Sequence, residues 1–426
     1  MDEGHSMADT AQAPASANET IERVDGGLTA PAGFRAGGTY AGIRSYGPEP
    51  RLDVGLLLSE TPCVTAGLFT TNVVVGEALS WTRERVRGAD ANGVRAVVAN
   101  SGNANTWTGE QGTRDARRMA ELAAERLDLA PAEVLVGSTG VIGRPLPMGL
   151  LERGIAAIEL GADDGAATAF ARSIMTTDTR PKQTARRIEV DGRRYTVGGA
   201  AKGSGMIHPL MATMFAFLTT DAPVTPGWLD ATLRAASADS FEMLDIDMDS
   251  STCDMVIALA NGSAGGEPID DGHPAAHALA SAIGELATEL TRELARDGEG
   301  ARTLIEVVVE GAADEREARL AARTIASSPL VKTMVAGRDP NWGRVAMAAG
   351  RSGARLDPAR ARIWIAELTA FAEGAPAATP EAELRDAMET PELRIRADLG
   401  VGSASATAWG CDLTDEYVRI NASYTT

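Results

Sequence analysis

The stretch Lys202 to Asp221 reads KGSGMIHPLMATMFAFLTTD, and it contains the most informative pattern in the chain. In it a small residue, Ala212, directly precedes a hydroxyl residue, Thr213, with glycines and a proline upstream and a strand-like apolar run downstream. Cleavage before Thr213 would free an α-amino group with a pKa of about 8 on the residue that carries the hydroxyl, so base and nucleophile would come aligned. From spacing alone, the plainer interpretation is a buried segment leading into a strand, because threonine is a good strand former.

Composition limits the classes of protein to consider. The chain has 426 residues, which allows one large domain or two. Its net charge of −19 argues against nucleic acid or an anionic membrane as a partner, since both attract a basic surface. No apolar run is long enough to span a membrane, and the polar start lacks the order of a signal peptide. The three cysteines are far apart, which predicts neither zinc nor disulfides and fits a cytoplasmic protein.

Hydrophobic periodicity predicts a chain in which helices and strands alternate. Residues 1–26 are predicted to form a disordered tail, because they are polar and contain few large apolar side chains. Beyond them the mixture indicates an α/β or α+β class with layered sheets. The predicted helices are one capped by Thr113 and those at 148–160, 164–175 and 275–296. The predicted strands are 95–105, 133–143, a hairpin at 188–197 around Asp191-Gly192, 214–221, 254–262, 303–311, 362–368, 392–399 and 416–421.

Other segments could supply the groups that a hydroxyl nucleophile needs. Thr139 and Gly140 follow a predicted strand and could offer a hydroxyl and backbone N–H groups to an oxyanion. Glu299, in a glycine-flanked loop, could bind an amine, and Asn421 and Thr426 could hold a carboxylate or an amide. Taken singly, each of these segments reads equally as a turn or a tail.

Histidine chemistry and metal binding have less support. His208 is the one histidine in a suggestive context. His273 and His277 would share a helix face, but no acidic metalloprotease pattern accompanies them, so a solvated helix start is the better interpretation. No metal and no bound cofactor are expected.

Taken together, these segments resemble the ornithine acetyltransferase family of arginine biosynthesis, also called bifunctional glutamate N-acetyltransferase. The likeness covers about residues 27–426. It rests on GGLTAPAGFRAGG, VVANSGNANTWTG, GSTGVIG, IMTTDTRPK, KGSGMIHPLMATM, DGEGAR, SPLVKTMVAGRDPNWGR and YVRINASYTT, in that order. The resemblance implies an α+β fold, a layered α/β sandwich. It also implies self-cleavage into an α chain (27–212) and a β chain (213–426) that stay intertwined.

The same resemblance implies a ping-pong acetyl transfer from N-acetylornithine to glutamate through an acylated Thr213. Thr139 and Gly140 would form the oxyanion hole. The implied substrate-binding residues are Thr176, Lys202, Thr213, Glu299, Asn421 and Thr426. Lys202 would hold the amino-acid carboxylate and Glu299 the second amine of ornithine. The partners implied are small amino acids, the α and β chains of the protein itself and further αβ units in a homo-oligomer; acetyl-CoA would be a possible second donor.

The chain also departs from the family's pattern. The departures are Leu210, Glu242, Met248, Cys253, Gly410 and Ser423. They leave open a relative adapted to another acyl group or amine in specialised metabolism. An N-terminal-nucleophile amidohydrolase or aminopeptidase, with water as the acceptor, and a non-catalytic paralogue also remain open.

Overall fold

The computed structural model describes residues 20–43, 51–88, 93–208 and 214–423. Helices and strands are mixed throughout these residues, in the α+β arrangement that was predicted. The helices are α1 Glu77–Arg87, α2 Gly109–Leu127, α3 Met148–Ala157, α4 Asp164–Ser173, α5 Pro226–Ala238, α6 Ala276–Arg296, α7 Glu315–Ala326, α8 Pro329–Ala336, α9 Trp342–Gly350, α10 Glu381–Ala387 and α11 Asp415–Ser423. The strands are β1 Thr20–Val24, β2 Phe34–Thr39, β3 Val54–Phe69, β4 Val94–Asn103, β5 Val134–Val141, β6 Lys182–Val190, β7 Arg193–Lys202, β8 Phe215–Thr220, β9 Leu244–Asp245, β10 Met255–Ala260, β11 Leu304–Ala312, β12 Arg362–Ile365, β13 Leu368–Ala372, β14 Ala375–Pro376, β15 Glu392–Asp398 and β16 Ala404–Cys411.

The larger sheet places two strands from the second half of the chain between strands from the first half. Its order is β1-β6-β7-β8-β10-β3-β4-β5, with β2 paired to β3. β8 and β10 run parallel, with Phe215 opposite Met255 at their common start. All residues of both strands are buried, which explains why each reads as a continuous apolar run instead of an alternating one.

The smaller sheet has the order β14-β13-β12-β15-β11-β16-β9. Helix α6 lies between the two sheets, because it contacts β6 and β7 on the larger one and β11 and β16 on the smaller one. Its buried side chains recur at helical spacing, and burial of each large one contributes about 1.5–3 kcal/mol. One hydrophobic cluster therefore extends from the larger sheet through α6 to the smaller sheet, and two further clusters pack elsewhere on the larger sheet.

Several sequence predictions need correction. Residues 416–421 were predicted as a strand, but they belong to helix α11, although Val418 and Ile420 alternate with polar residues. Val418 is 65% exposed, so its alternation with polar residues does not mark a buried face. Arg419 pairs with residues three and four positions earlier, which is the spacing of neighbours on a helix surface.

Other boundaries also moved. The end of the predicted tail is ordered, because β1 pairs with β6; residues 1–19 of that tail lie outside the described residues. Helix α2 begins at Gly109, one turn before Thr113, so Thr113 does not cap it.

The predicted strand at 362–368 is two strands, β12 and β13, joined at Ala366 and Glu367, which both have positive φ. The predicted hairpin turn at Asp191-Gly192 is confirmed, with positive φ at both positions. In the part of the chain described, no helix is long and apolar enough to cross a membrane.

Candidate active site

A cavity of about 110 Å³ opens where β5 and β7 end. Of the predicted site residues, it brings together Thr139, Gly140, Thr176, Lys202, Glu299 and Asn421. The remaining ones, Ala212, Thr213 and Thr426, lie outside the described residues, as does Leu210. Residues distant in sequence, from five of the motifs, therefore meet at one cavity.

The predicted oxyanion residues lie on β5, where it runs beside β4 in parallel. Gly140 has a φ of +131°, and a Cβ there would lie 2.4 Å from the carbonyl carbon of Gly102. Both the backbone conformation and the space therefore require glycine at this position. Thr139 is almost fully buried, and its Oγ1 lies 3.3 Å from Lys202 Nζ.

Lys202 is the last residue of β7 and is 2% exposed. Burial lowers the pKa of Lys202, an effect that the nearby carboxyl groups of Asp178 and Asp254 oppose. Because its ammonium group donates to Thr139 Oγ1, the Thr139 hydroxyl hydrogen is free to donate elsewhere.

A buried ion-pair network supports this wall of the cavity. Lys182 Nζ lies 2.6 Å from both Asp178 Oδ1 and Asp297 Oδ2, and all three side chains are buried. Asp178 also accepts the N–H groups of Gly203 (2.7 Å) and Thr176 (2.9 Å). Burial would raise the pKa of Asp178, but Lys182, Lys202 and these N–H groups outweigh it and hold the pKa below its usual value. Through these two hydrogen bonds, Asp178 links the backbone at Thr176 to the backbone at Gly203.

Glu299 also lines the cavity. Its N–H donates to Ser204 O at 2.7 Å, and its carboxylate lies against Gly205, where a Cβ would come within 2.6 Å of it. Asn421 Nδ2, from α11, donates to Glu299 Oε2 at 2.7 Å. Asn421 therefore lies at the site even though its segment is a helix and not the predicted strand, because α11 faces this loop.

Asp247 and Asp249 add further negative charge to this part of the cavity. Asp247 accepts the N–H groups of Met206 (2.6 Å) and Ile207 (3.0 Å) and the hydroxyl of Tyr417 (3.2 Å). Burial raises the pKa of Asp247, and these backbone hydrogen bonds partly offset the rise. The cavity is therefore lined both by the amine of Lys202 and by the carboxyl groups of Glu299, Asp247 and Asp249.

A further buried carboxyl group, that of Asp254, lies at the start of the central parallel strands. Its Oδ1 accepts the N–H of Met214 at 2.7 Å. Its Oδ2 is buried without a hydrogen-bond partner among the described residues. Burial raises the pKa of Asp254 well above its usual value, and the Met214 N–H and Lys202 offset only part of the rise.

The histidines have structural positions that differ from one another. His208 Nδ1 lies 2.9 Å from the buried Asp245, next to the start of the 209–213 segment. His273 Nδ1 accepts the N–H of Ala275 just before α6, which fits a helix start. Within the described ranges, no group of three or more His, Cys, Asp or Glu residues is placed to hold a metal ion.

Two of the departures from the family's pattern are at or beside the cavity. Cys253 lines it, and its thiol lies 3.4 Å from the hydroxyl of Thr106. Met248 is exposed and has a φ of +66°, a conformation that favours glycine. The others lie elsewhere: Gly410 beside Asp245 and Lys332, Glu242 in a short turn after α5, and Ser423 at the exposed end of α11.

Sequence reasoning missed four residues of the site: Asp178, Lys182, Asp247 and Asp254. Asp178 and Lys182 belong to the motif IMTTDTRPK, in which only Thr176 was predicted to bind substrate. The available signal was a lysine four residues after an aspartate in a chain that has few lysines. Asp254 gave no local signal, because its role depends on the pairing of β8 with β10.

Comparison with known proteins adds a family assignment. The family model described as "ArgJ family" matches residues 35–426. The arginine biosynthesis bifunctional protein ArgJ of Symbiobacterium thermophilum is 50% identical over 408 residues, which cover 95% of this chain and 100% of that protein. The protein of the same name from Thermus thermophilus is 48% identical over 396 residues, 93% of this chain and 99% of its own. Among solved structures, ornithine acetyltransferase from Mycobacterium tuberculosis complexed with ornithine is 39% identical to this chain, with a TM-score of 0.40. The match covers 45% of this chain and 98% of the chain in that structure.

Proposed function

The chain belongs to the ArgJ family, and from this premise we propose that it transfers an acetyl group from N-acetylornithine to glutamate. The nucleophile would be Thr213, freed by self-cleavage between Ala212 and Thr213. The observation that carries the proposal is the convergence of Thr139, Gly140 and Lys202 on one cavity with Glu299. Upstream of the predicted cleavage site, the Ile207 N–H donates to Asp247, which lines this cavity. Downstream of it, the Met214 N–H donates to Asp254, whose neighbour Cys253 lines the cavity.

The charges of the cavity suit a donor with a carboxylate and a side-chain amine. Lys202 supplies a buried positive charge near Thr139, where an α-carboxylate can be held. Glu299, Asp247 and Asp249 line the same cavity, and their carboxyl groups would attract the free amine of ornithine. These groups and Lys202 would thereby fix the direction in which the donor lies.

The transfer would proceed in two balanced halves. The Thr213 oxygen attacks the acetyl carbonyl carbon, and its proton passes to the freed α-amino group of Thr213. The tetrahedral oxyanion accepts hydrogen bonds from the Thr139 hydroxyl and the Gly140 N–H, and Lys202 polarises that hydroxyl. The C–N bond then breaks, the leaving amine takes the proton, and ornithine departs. Glutamate reverses these steps with its own α-amine and leaves as N-acetylglutamate.

The proposal has further parts that follow from family membership. No bound cofactor is needed, because the acyl group is carried on threonine; acetyl-CoA would be an additional acetyl donor. The working protein would be a cytoplasmic homo-oligomer of αβ units. Native mass spectrometry and an acetyl-CoA–glutamate assay test these two parts separately.

A second candidate, a family member with an altered acyl or amine substrate, is favoured by Cys253. This residue lines the cavity at a position where the family's pattern usually has asparagine. Its pKa is raised by burial, so the thiol stays neutral and offers a substrate weaker hydrogen bonds than an amide would. A changed substrate would leave the nucleophile chemistry unaltered.

Mass spectrometry of the purified protein tests both candidates. Two fragments that meet between Ala212 and Thr213 are expected, and N-acetylornithine should add one acetyl group to the second. Thr213→Ala should abolish cleavage and acylation, whereas Thr213→Ser should keep part of both, because only a methyl group is lost. An uncut wild-type chain that never becomes acylated would refute the proposal.

The acceptor and the acyl group are tested with the same sample. Addition of glutamate should remove the acetyl group and yield N-acetylglutamate with ping-pong kinetics. Acylation by a different N-acyl amine, with N-acetylornithine inert, would favour the altered substrate. Release of free acetate with no transfer to glutamate would identify a hydrolase.

A further inference from the structure

The fully buried carboxyl group of Asp254 is not used in the transfer chemistry above. It nevertheless forms a hydrogen bond with Met214, the residue that follows the proposed nucleophile. Asp254 directly precedes β10, and Met214 directly precedes β8. The two strands pair in parallel from Met255 and Phe215 onward. Their register therefore places the Asp254 side chain beside the Met214 backbone.

Both polar groups of the Met214 backbone are held by this short segment. The Met214 N–H donates to Asp254 Oδ1 at 2.7 Å, and the Met214 carbonyl accepts the N–H of Met255 at 3.1 Å. The Met214 N–H belongs to the peptide bond that joins Thr213 to Met214. The side chain of Asp254 thus accepts a hydrogen bond from the peptide group that follows the proposed nucleophile.

The surroundings indicate that this carboxyl group is kept for its position and not for its charge. Asp254 has no exposed surface, and Oδ2 has no hydrogen-bond partner in the residues described. Burial raises the pKa of Asp254 well above its usual value and so disfavours the charged form, while Oδ1 accepts the hydrogen bond from Met214. A buried carboxyl group with an oxygen that has no hydrogen-bond partner is costly to keep.

Backbone cleavage explains why a hydrogen bond to the Met214 N–H would matter for the nucleophile. A cut before residue 213 would make Thr213 a chain end, and chain ends fray unless they are tied down. Only the bond on the C-terminal side, to Met214, would still hold it. We propose that Asp254 is the positioning residue of the nucleophile, which keeps Thr213 at the cavity after the cut by binding the Met214 N–H. This inference rests on the proposed role of Thr213.

Two substitutions at this position separate geometry from charge. Asp254→Asn retains a neutral acceptor oxygen, so cleavage, acylation and kcat should stay within about threefold of wild type. Asp254→Ala removes the acceptor, so kcat should fall about 10- to 100-fold, as expected when a nucleophile is misplaced by about 1 Å. The KM for N-acetylornithine should change little, because Asp254 does not line the cavity.

Asp221→Ala is the matched control. Asp221 follows the other end of β8, is 6% exposed, and its carboxyl accepts the N–H groups of Thr196 (2.7 Å) and Ala32 (3.1 Å). It therefore makes the same kind of bond far from the cavity. Its loss should lower the Tm as Asp254→Ala does but leave kcat unchanged.

Hydrogen exchange gives a readout that does not depend on activity. The Met214 amide should exchange at least tenfold faster in Asp254→Ala than in wild type or Asp221→Ala, because a buried N–H without its acceptor is exposed by smaller openings. Unchanged exchange, or equal kcat in the two alanine variants, would overturn the positioning role even if wild-type Thr213 is acylated. Failure of wild-type Thr213 to become acylated would instead overturn the proposed function, and the nucleophile-positioning role with it.

Discussion

Replacement of Lys182 by methionine tests the buried network behind the cavity. The side chain of Lys182 has no exposed surface and lies 2.6 Å from a carboxylate oxygen of Asp178 and of Asp297, whose side chains are 0% and 3% exposed. Methionine has a similar length but no charge, so Lys182→Met would leave two buried carboxylates facing each other. Removal of one partner from a buried pair costs about 3–5 kcal/mol.

The structure points to the lower end of that range. Asp297 keeps the N–H and hydroxyl of Thr179, and Asp178 keeps two backbone N–H groups, so neither carboxylate is left without donors. We therefore expect a loss of about 3 kcal/mol in the free energy of unfolding at pH 7, a large share of the 5–15 kcal/mol typical of a folded protein. Urea unfolding followed by circular dichroism measures it.

Arg186→Met is the control on the same strand. Arg186 also reaches across to α6, but its partners Glu285 and Glu289 are 53% and 22% exposed, so water screens the pairs. Its loss should cost about 1 kcal/mol or less in pairing energy. The reasoning fails if Lys182→Met costs no more than Arg186→Met.

The pH dependence gives a second check on the same variant. The pKa of Asp178 in the folded protein lies below its ordinary value of 3.8, so its pairing stabilises the wild type above that pH and is lost as the pH falls through the lowered pKa. In Lys182→Met the carboxyl protonates at a higher pH. The difference in unfolding free energy between the two proteins should therefore shrink as the pH falls from the pKa of Asp178 in the variant towards its lowered pKa in the wild type.

Three further predictions concern the cavity and its surroundings. Gly140→Ala should reduce acetyl transfer at least tenfold in steady-state assays, since its Cβ would strike the backbone of β4. Gly143→Ala should have a much smaller effect, because Gly143 also has a positive φ, of +81°, but faces open space. Glu299→Gln keeps an acceptor for Asn421 but removes the charge, so KM for N-acetylornithine should rise about tenfold while self-cleavage is retained. Asp254→Asn should be more stable than wild type at pH 7 by urea unfolding, and the gain should vanish below about pH 4: the raised pKa of Asp254 costs stability only above the ordinary carboxyl pKa.

The parts of the fold that sequence predicted well have a local cause. The Asp191-Gly192 turn was readable because that dipeptide favours positive φ, and the long apolar spacing of α6 was readable because the helix is buried between two sheets. Helix α11 was not readable, since Val418 and Ile420 alternate as strand residues do and the deciding pairs of Arg419 are weak.

The candidate site divides along a similar line. Thr139, Lys202 and Glu299 belong to motifs that the family resemblance could bring together. Asp254 acts through its neighbour in the sheet, and no spacing along the chain encodes that neighbour. The network of Lys182 likewise joins residues 115 positions apart, so only the folded chain reveals that two polar segments share one cation.

The interleaved order of the larger sheet has a thermodynamic consequence for a chain cut between residues 212 and 213. β8 and β10 would then belong to one fragment, while their outer neighbours β7 and β3 belong to the other, with backbone hydrogen bonds across both seams. Neither fragment could leave without breaking the middle of the sheet. Unfolding would release two molecules from one, so the Tm of the cut protein would rise with protein concentration, while that of an uncut Thr213→Ala chain would not, provided that no further subunits dissociate.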